Sequence, residues 1–272
     1  MTNKQIPLAL AMMLASGLSY AAADVPFQHE ASVSYGSNTD DFGDGSWNLG
    51  YRFYASPVSQ EQQPYALSGF LAQTSNLGAG YTTVDDADLD AYHLDGQYVF
   101  GNKWFLQAGY DKVEFGSDFA SFDTHAYSLG GGYYFNDHSA AFASYSRRES
   151  DSNQAISGVS VDSYGLGIRS FIKMQSTAGV DLQLNLNHSR FNSRYFDASN
   201  STLNLNADWY LTRAWSIGGH YSIDEDGYDN YGLQTAYWLR LSDNISLTFA
   251  LAKTIEPDGD GMFANMGLNG RF

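Results

Sequence analysis

Strict alternation of apolar and polar side chains, sustained over long stretches, limits what this chain can fold into. In TLNLNADWYL (202–211), Leu203, Leu205, Ala207, Trp209 and Leu211 fall on one side, and Asn204, Asn206, Asp208 and Tyr210 on the other. GVDLQLNLNHS (179–189) sets Val180, Leu182, Leu184 and Leu186 opposite Asp181, Gln183, Asn185 and Asn187. YHLDGQYVF (92–100) sets Tyr92, Leu94, Gly96, Tyr98 and Phe100 opposite His93, Asp95 and Gln97. Successive side chains of a strand point to opposite faces, so this period means strands with one apolar and one polar face.

Two kinds of connection separate the strands. Short polar ones (GNK at 101, NDH at 136, LTRA at 211, SDN at 242) sit between bulky residues. Longer acidic ones (SNTDDFGDGS, TTVDDADLD, ESDSNQAISG, DEDGYDN, EPDGDG) alternate with them. The spacing predicts about 14 strands, starting near His29, Trp47, Tyr65, Leu89, Trp104, Asp123, Ser139, Val161, Val180, Thr202, Trp215, Tyr231, Ile245 and Met262. An even count places both termini at one end, with all the short turns. YALSGFLAQ (65–73) and SAAFASYSRR (139–148) carry small residues on both faces, so their facing stays open.

The apolar face belongs either to the core of a soluble β-protein or to the outside of a transmembrane barrel. Strands of about ten residues or more suit a tilted bilayer crossing, and soluble sandwich strands run shorter. Aromatic residues gather at both strand ends. Phe100, Trp104, Phe135, Trp209, Trp215 and Tyr237 lie by the short turns, and Tyr35, Trp47, Tyr92, Tyr127, Tyr164, Tyr221 and Tyr231 toward the longer loops, as in interfacial girdles. Charge is missing from mid-strand on the apolar face, where Lys or Arg costs ~2–4 kcal/mol. Lys112 and Arg147 reach that face only near the longer loops. A one-residue slip would drive Arg52, Asp95, Asp181, Asp208 and Arg240 into lipid. The expectation is an all-β, closed antiparallel transmembrane barrel with short periplasmic turns and longer acidic extracellular loops.

The first 23 residues read as a cleaved signal peptide, with Lys4 in the n-region, Ile6 to Leu18 as the apolar segment, and small residues before a cut after Ala23 or Ala21. The barrel then spans 24–272. With no cysteine, disulfides contribute nothing to the fold.

The chain ends in NMGLNGRF, with Ala264, Met266, Leu268, Gly270 and Phe272 on one face. This resembles the closing strand of Gram-negative outer-membrane barrels, whose terminal aromatic residue is read by the barrel assembly machinery; the resemblance assigns that signal to Phe272. Within that class the chain resembles porins, most of all the small 14-stranded monomeric kind. The larger trimeric porins fold a long third loop into the channel. The corresponding stretch here, GSDFASFD (116–123), is short, which argues against a constriction built by that loop.

A barrel of about 14 strands has a backbone diameter of roughly 28 Å, leaving a gap of roughly 10–15 Å unless a loop or large side chains fill it. Inward positions give a middle tier of Arg52, His93, Asp95, Asp111 and His220, and a tier nearer the periplasm of Glu30, Arg169, Asp181, Asp208, Arg240 and Arg271. Two readings fit these residues: opposed rows that set a transverse field, or paired salt bridges without a selectivity role. Loss of Lys4 with the leader takes the net charge from −16 to −17. The loop acids Asp40, Asp41, Asp44, Asp85, Asp86, Asp226, Asp229, Asp258 and Asp260 would concentrate cations at the mouth. A modest cation preference follows. DEDGYDN and EPDGDGM lack the spacing and closing Glu of a calcium loop.

Catalysis needs a nucleophile, a base and an orienting group that converge. The six histidines are scattered, and His188 and Ser189 point to opposite faces. Nucleic-acid binding does not suit so acidic a chain. An accessory barrel that grips a partner protein is the alternative. The favoured reading is a passive outer-membrane diffusion channel for ions and small polar solutes, with no cofactor and no metal. Its partners would be outer-membrane lipid and lipopolysaccharide, as a monomer or small homo-oligomer. Alternation begins soon after the cleavage site, which argues against a plug domain and active transport.

Overall fold

A computed structural model describes residues 24–272 except 85–86, 117–120, 153–158, 194–196 and 260. The proposed leader and most of the short third loop lie outside the described residues, as do Asp85, Asp86 and Asp260. Fourteen strands form one closed antiparallel barrel in sequence order, the last pairing with the first. They are β1 Phe27–Asn38, β2 Asp41–Val58, β3 Asn76–Val84, β4 Leu89–Val99, β5 Trp104–Gly116, β6 Ser121–Asn136 and β7 Ser139–Ser152, then β8 Val159–Ile172, β9 Gly179–Asn192, β10 Asp197–Tyr210, β11 Trp215–Asp224, β12 Asp229–Arg240, β13 Ile245–Glu256 and β14 Phe263–Arg271. Closure registers Glu30 with Arg271 and Ser32 with Asn269. The backbone of Phe272 continues the seam, its carbonyl accepting from Gln28 and His29 and its N–H donating to His29 O.

The alternation is realised in space. Leu94, Leu106, Leu129, Leu166, Leu186, Leu205 and Leu268 lie exposed on the outer wall, Leu129 at 61%. At the end away from the termini, outward aromatic rings meet across strand pairs: Tyr35 with Trp47 (5.1 Å), Tyr81 with Tyr92 (5.3 Å), Tyr110 with Tyr127 (5.1 Å) and Tyr145 with Tyr164 (5.3 Å). Trp104 against Tyr133 begins the girdle at the other end. An exposed apolar band between aromatic belts requires lipid around it. Lys112, paired with Glu114, and Arg147, paired with Glu149 and Asp162, stand above the far girdle. Ala141 and Ala143 of β7 register with outward Tyr133 and Leu166, so Ala140, Phe142 and Ser144 face inward.

Two expectations fail. No strand begins at Tyr65: β3 starts at Asn76, and residues 59–75 connect β2 to β3 through a 3-10 turn (Tyr65–Leu67) and a short helix, α1 (Ser68–Leu71). The turns at the termini end are therefore not all short. Small side chains on both faces of YALSGFLAQ gave no alternation, because the stretch places Leu67, Phe70 and Leu71 at helical spacing. SNTDDFGDGS is also not a loop, since β1 and β2 pair up to Asn38 and Asp41. Asp41 and Asp44 belong to β2 and Asp229 to β12.

Candidate functional site

The buried side chains inside the barrel gather at the termini end, around residues 59–75. Pro64, in an extended conformation (φ −58°, ψ 134°), precedes the 3-10 turn. Leu67 N–H bonds Pro64 O and Ala72 N–H bonds Ser68 O, each at 3.0 Å, while Ser68 Oγ donates to Tyr65 O. The backbone thus satisfies itself locally and can enter the lumen.

Bulky side chains of this segment meet the wall in several directions. Leu67 packs with Phe171 of β8 and Tyr210 of β10, and Leu71 and Ala178 join them. Phe70 packs against Phe105 of β5, Tyr134 of β6 and Ala140 of β7, and Ala72 against Phe27, Tyr54 and Val58 of β1 and β2. Each large apolar side chain so buried contributes about 1.5–3 kcal/mol. Arginines cover the rings. Arg169 lies 4.4 Å over Phe70, and Arg213 and Arg240 lie 4.7 and 5.3 Å from the Tyr65 centroid.

Polar contacts pin the backbone. Tyr65 N–H donates to Arg213 O, and Arg271 Nη2 to Tyr65 O, both at 3.0 Å. Arg213 Nε donates to Gln63 O at 3.2 Å, and its Nη2 to Gln60 O. Gln60 Nε2 donates to Val25 O at 2.8 Å. Asp24 accepts from Arg213 Nη1 at 2.8 Å and from Arg240 Nη1 at 2.7 Å. Arg271 pairs with Glu30 at 2.8 Å, between the rings of Phe27 and Trp238. The segment thus narrows one end of the lumen, held from β1, β2, β5 to β8, β10, β12, β14 and the β10–β11 turn.

Further up the wall, strand register points the expected residues inward. Arg52 forms a two-pronged bond to Asp95 (2.7 and 2.8 Å) and reaches Asn76 Oδ1. Gly78 stands between them in register, and a Cβ there would fall 2.6 Å from both side chains. His93 bridges Asp111 (2.5 Å) and Asp95 (3.0 Å). Arg169 pairs with Asp181 at 2.9 Å, Asp208 accepts from Gln234 Nε2 at 2.8 Å, and His220 Nε2 lies 3.0 Å from Asn230 Oδ1. Arg240 is at the rim with Asp24. The opposite charges thus meet as neighbours along the wall. Above the inserted segment lies a cavity of about 470 Å³, lined by Arg52, Phe70, Asp95, Arg169, Trp238 and Arg271 among others.

Sequence reasoning did not single out Asp24, Gln60, Tyr65, Phe70 or Arg213, which hold the inserted segment. Two signals were present: a proline-led stretch with helical spacing, and an arginine in the short turn LTRA.

A family model described as putative general bacterial porin matches residues 3–149, more than half of the chain. The chain belongs to this porin family. It is an outer-membrane channel protein and not an enzyme. No curated protein matches it in sequence. Among solved structures, the Acinetobacter baumannii outer membrane protein Omp33 is similar over 92% of this chain and 100% of its own, at 12% identity and a TM-score of 0.57. CdiB from Acinetobacter baumannii matches 92% of this chain at 10% identity and a TM-score of 0.54, and this porin spans 60% of its length. A bacterial polysaccharide outer membrane secretin is similar over 92% of this chain and 100% of its own, at 12% identity and a TM-score of 0.52. At such identities these likenesses establish a shared barrel fold.

Proposed function

We propose that this porin is a passive channel for ions and small polar solutes, kept narrow at its periplasmic end by the inserted segment 59–75. Arg52, His93, Asp95, Asp111, Arg169, Asp181, Asp208, His220 and Arg240 line its path. Residues 1–23 are the leader removed on export, and 24–272 form the barrel. The observation that carries this reading is a polar lumen cavity lying directly above a segment seated inside the wall. Because the lumen charges are largely paired, the acids near the far rim bias the ions, and the preference is modestly cationic. Phe272 presents the assembly signal.

The filled end also favours a second reading, an accessory barrel that holds a partner and conducts nothing. Planar-bilayer recording under a salt gradient separates the two. The native porin is expected to show small ohmic steps with a cation-positive reversal potential, and a variant with residues 60–73 replaced by a short Gly/Ser turn is expected to show larger ones. Anion preference would overturn the selectivity. Silence from both folded, heat-modifiable barrels would sink the channel in favour of the accessory reading.

A further inference from the structure

The inserted segment leaves open space on one side. There it presents Ala66, the smallest side chain of its 3-10 turn, beside Leu67, which packs on the cavity-lining Tyr210, while Phe70 packs on the β5–β7 wall. Against Ala66 lies a second cavity, of about 240 Å³. Its lining runs from Ala214 in the β10–β11 turn, past Ser216, Ala236 and Ala250, to Phe263 at the far end of β14. Ser216, Ala236 and Ala250 lie in register across β11, β12 and β13, so the cavity runs obliquely across the wall from the termini end, beside the inserted segment.

No arginine or lysine lines this cavity among the described residues, and one carboxylate does, that of Asp208. Asp208, Gly218 and Gln234 stand in register on three adjacent strands. Gly218 makes the arrangement possible, because a Cβ there would fall 2.1 Å from Asp208 Oδ1. Gln234 therefore reaches across the glycine to donate to that oxygen. Arg169, the nearby cation, is committed to Asp181. Among the described residues no arginine or lysine forms an ion pair with Asp208. A carboxylate without a paired cation, in a narrow passage walled by low-dielectric alanine and aromatic side chains, attracts a cation far more strongly than one in open water.

We infer that permeation past the constriction runs through this side passage between the inserted segment and β10–β13, and that Asp208 is its selectivity residue, binding small monovalent cations. The inference rests on the channel reading above. It localises the cation preference to one carboxylate inside the barrel, beyond the contribution of the acidic mouth.

The chain has no cysteine, so engineered thiols report on the route without background. In planar bilayers with a KCl gradient, Asp208→Asn is expected to lower the cation-to-anion permeability ratio at least threefold. Ala236→Cys and Ala250→Cys channels are expected to lose most of their current on adding a positively charged methanethiosulfonate reagent. A conducting native channel whose reversal potential ignores Asp208→Asn, and whose cysteine variants conduct unchanged after the reagent, overturns the side passage and leaves the channel reading standing. If Asp208→Asn fails the heat-modifiability check, the two cysteine variants decide alone. No current from the native protein or from the segment-replaced variant overturns the channel reading, and the passage with it.

Discussion

Asp24 and Arg213 lie 189 residues apart in the sequence, and their side chains meet at 2.8 Å. Arg213 also donates to Gln60 O and Gln63 O and covers the Tyr65 ring. The residue that the leader reading makes the first of the mature chain therefore anchors the arginine that holds the constriction. A hydrogen bond to a charged group contributes about 1.5–3 kcal/mol. Asp24→Ala is expected to loosen residues 59–75 while sparing the strands. Open-channel current should rise and proteolysis within 59–75 should quicken, with heat-modifiability intact. Unchanged current together with unchanged cleavage would show that the pair does not hold the segment.

Leu67 tests the apolar half of the same docking. It is 2% exposed among Phe171, Tyr210 and Leu71. Truncating a buried leucine costs about 2–5 kcal/mol. Because the loss falls on an insert and not on the strand ladder, Leu67→Ala should act on docking first. Conductance should grow while the unfolding midpoint in detergent shifts little. A large midpoint shift with unaltered conductance would mean that the segment is part of the barrel's global stability.

The wall itself gives a paired test of facing. Leu129 points outward at mid-strand on β6, and its neighbour Ser128 points inward, close enough to Gly109 that a Cβ there would fall 2.6 Å from its hydroxyl. Leu129→Arg should destabilise the barrel in lipid by about 2–4 kcal/mol, the depth-dependent cost of an arginine at the midplane. Ser128→Arg meets water and should cost much less in the same denaturant titration. Equal costs would refute the register.

This facing was legible in sequence because lipid and lumen impose opposite chemistry on neighbouring residues, as at Leu203 and Asn204. Twelve of the strands could be faced for that reason, and the one at Ser139 was located with its facing open; no strand forms at Tyr65, because Leu67, Phe70 and Leu71 follow helical spacing and not period two. The inward facing of the charged residues followed from the same alternation, but their pairing did not. That Arg52 would pair with Asp95 along the wall depends on Gly78 standing between them in register. The Asp24 contact is long-range, and no local pattern encodes it.

Outside the membrane, Lys103 and Asp137 join two turns at 2.8 Å. The hydrogen bond and the charge of Lys103 hold the Asp137 carboxyl below the usual aspartate range. A carboxylate depressed in the fold stabilises it above the ordinary aspartate pKa and loses that contribution as pH falls through its own lower midpoint. Carbon-13 titration in nanodiscs should find the Asp137 midpoint below the ordinary value, and Lys103→Met should return it there. An unmoved midpoint would assign the depression to another group.

Phe272 has a backbone role and a side-chain role that can be separated. Its backbone closes the seam through Gln28 and His29, while its ring stands 60% exposed on the outer wall. The closing bonds need no particular side chain, so the aromatic ring adds little to the folded barrel. If the ring is the assembly signal, Phe272→Ser should cut the yield of folded porin in cells severalfold. Refolding from denaturant into detergent should proceed as in the native chain. Deleting Phe272 removes the seam bonds as well and should lower stability in both settings. Normal cellular yield from Phe272→Ser would leave the ring without a role in assembly and return the closing strand's signal to its alternation alone.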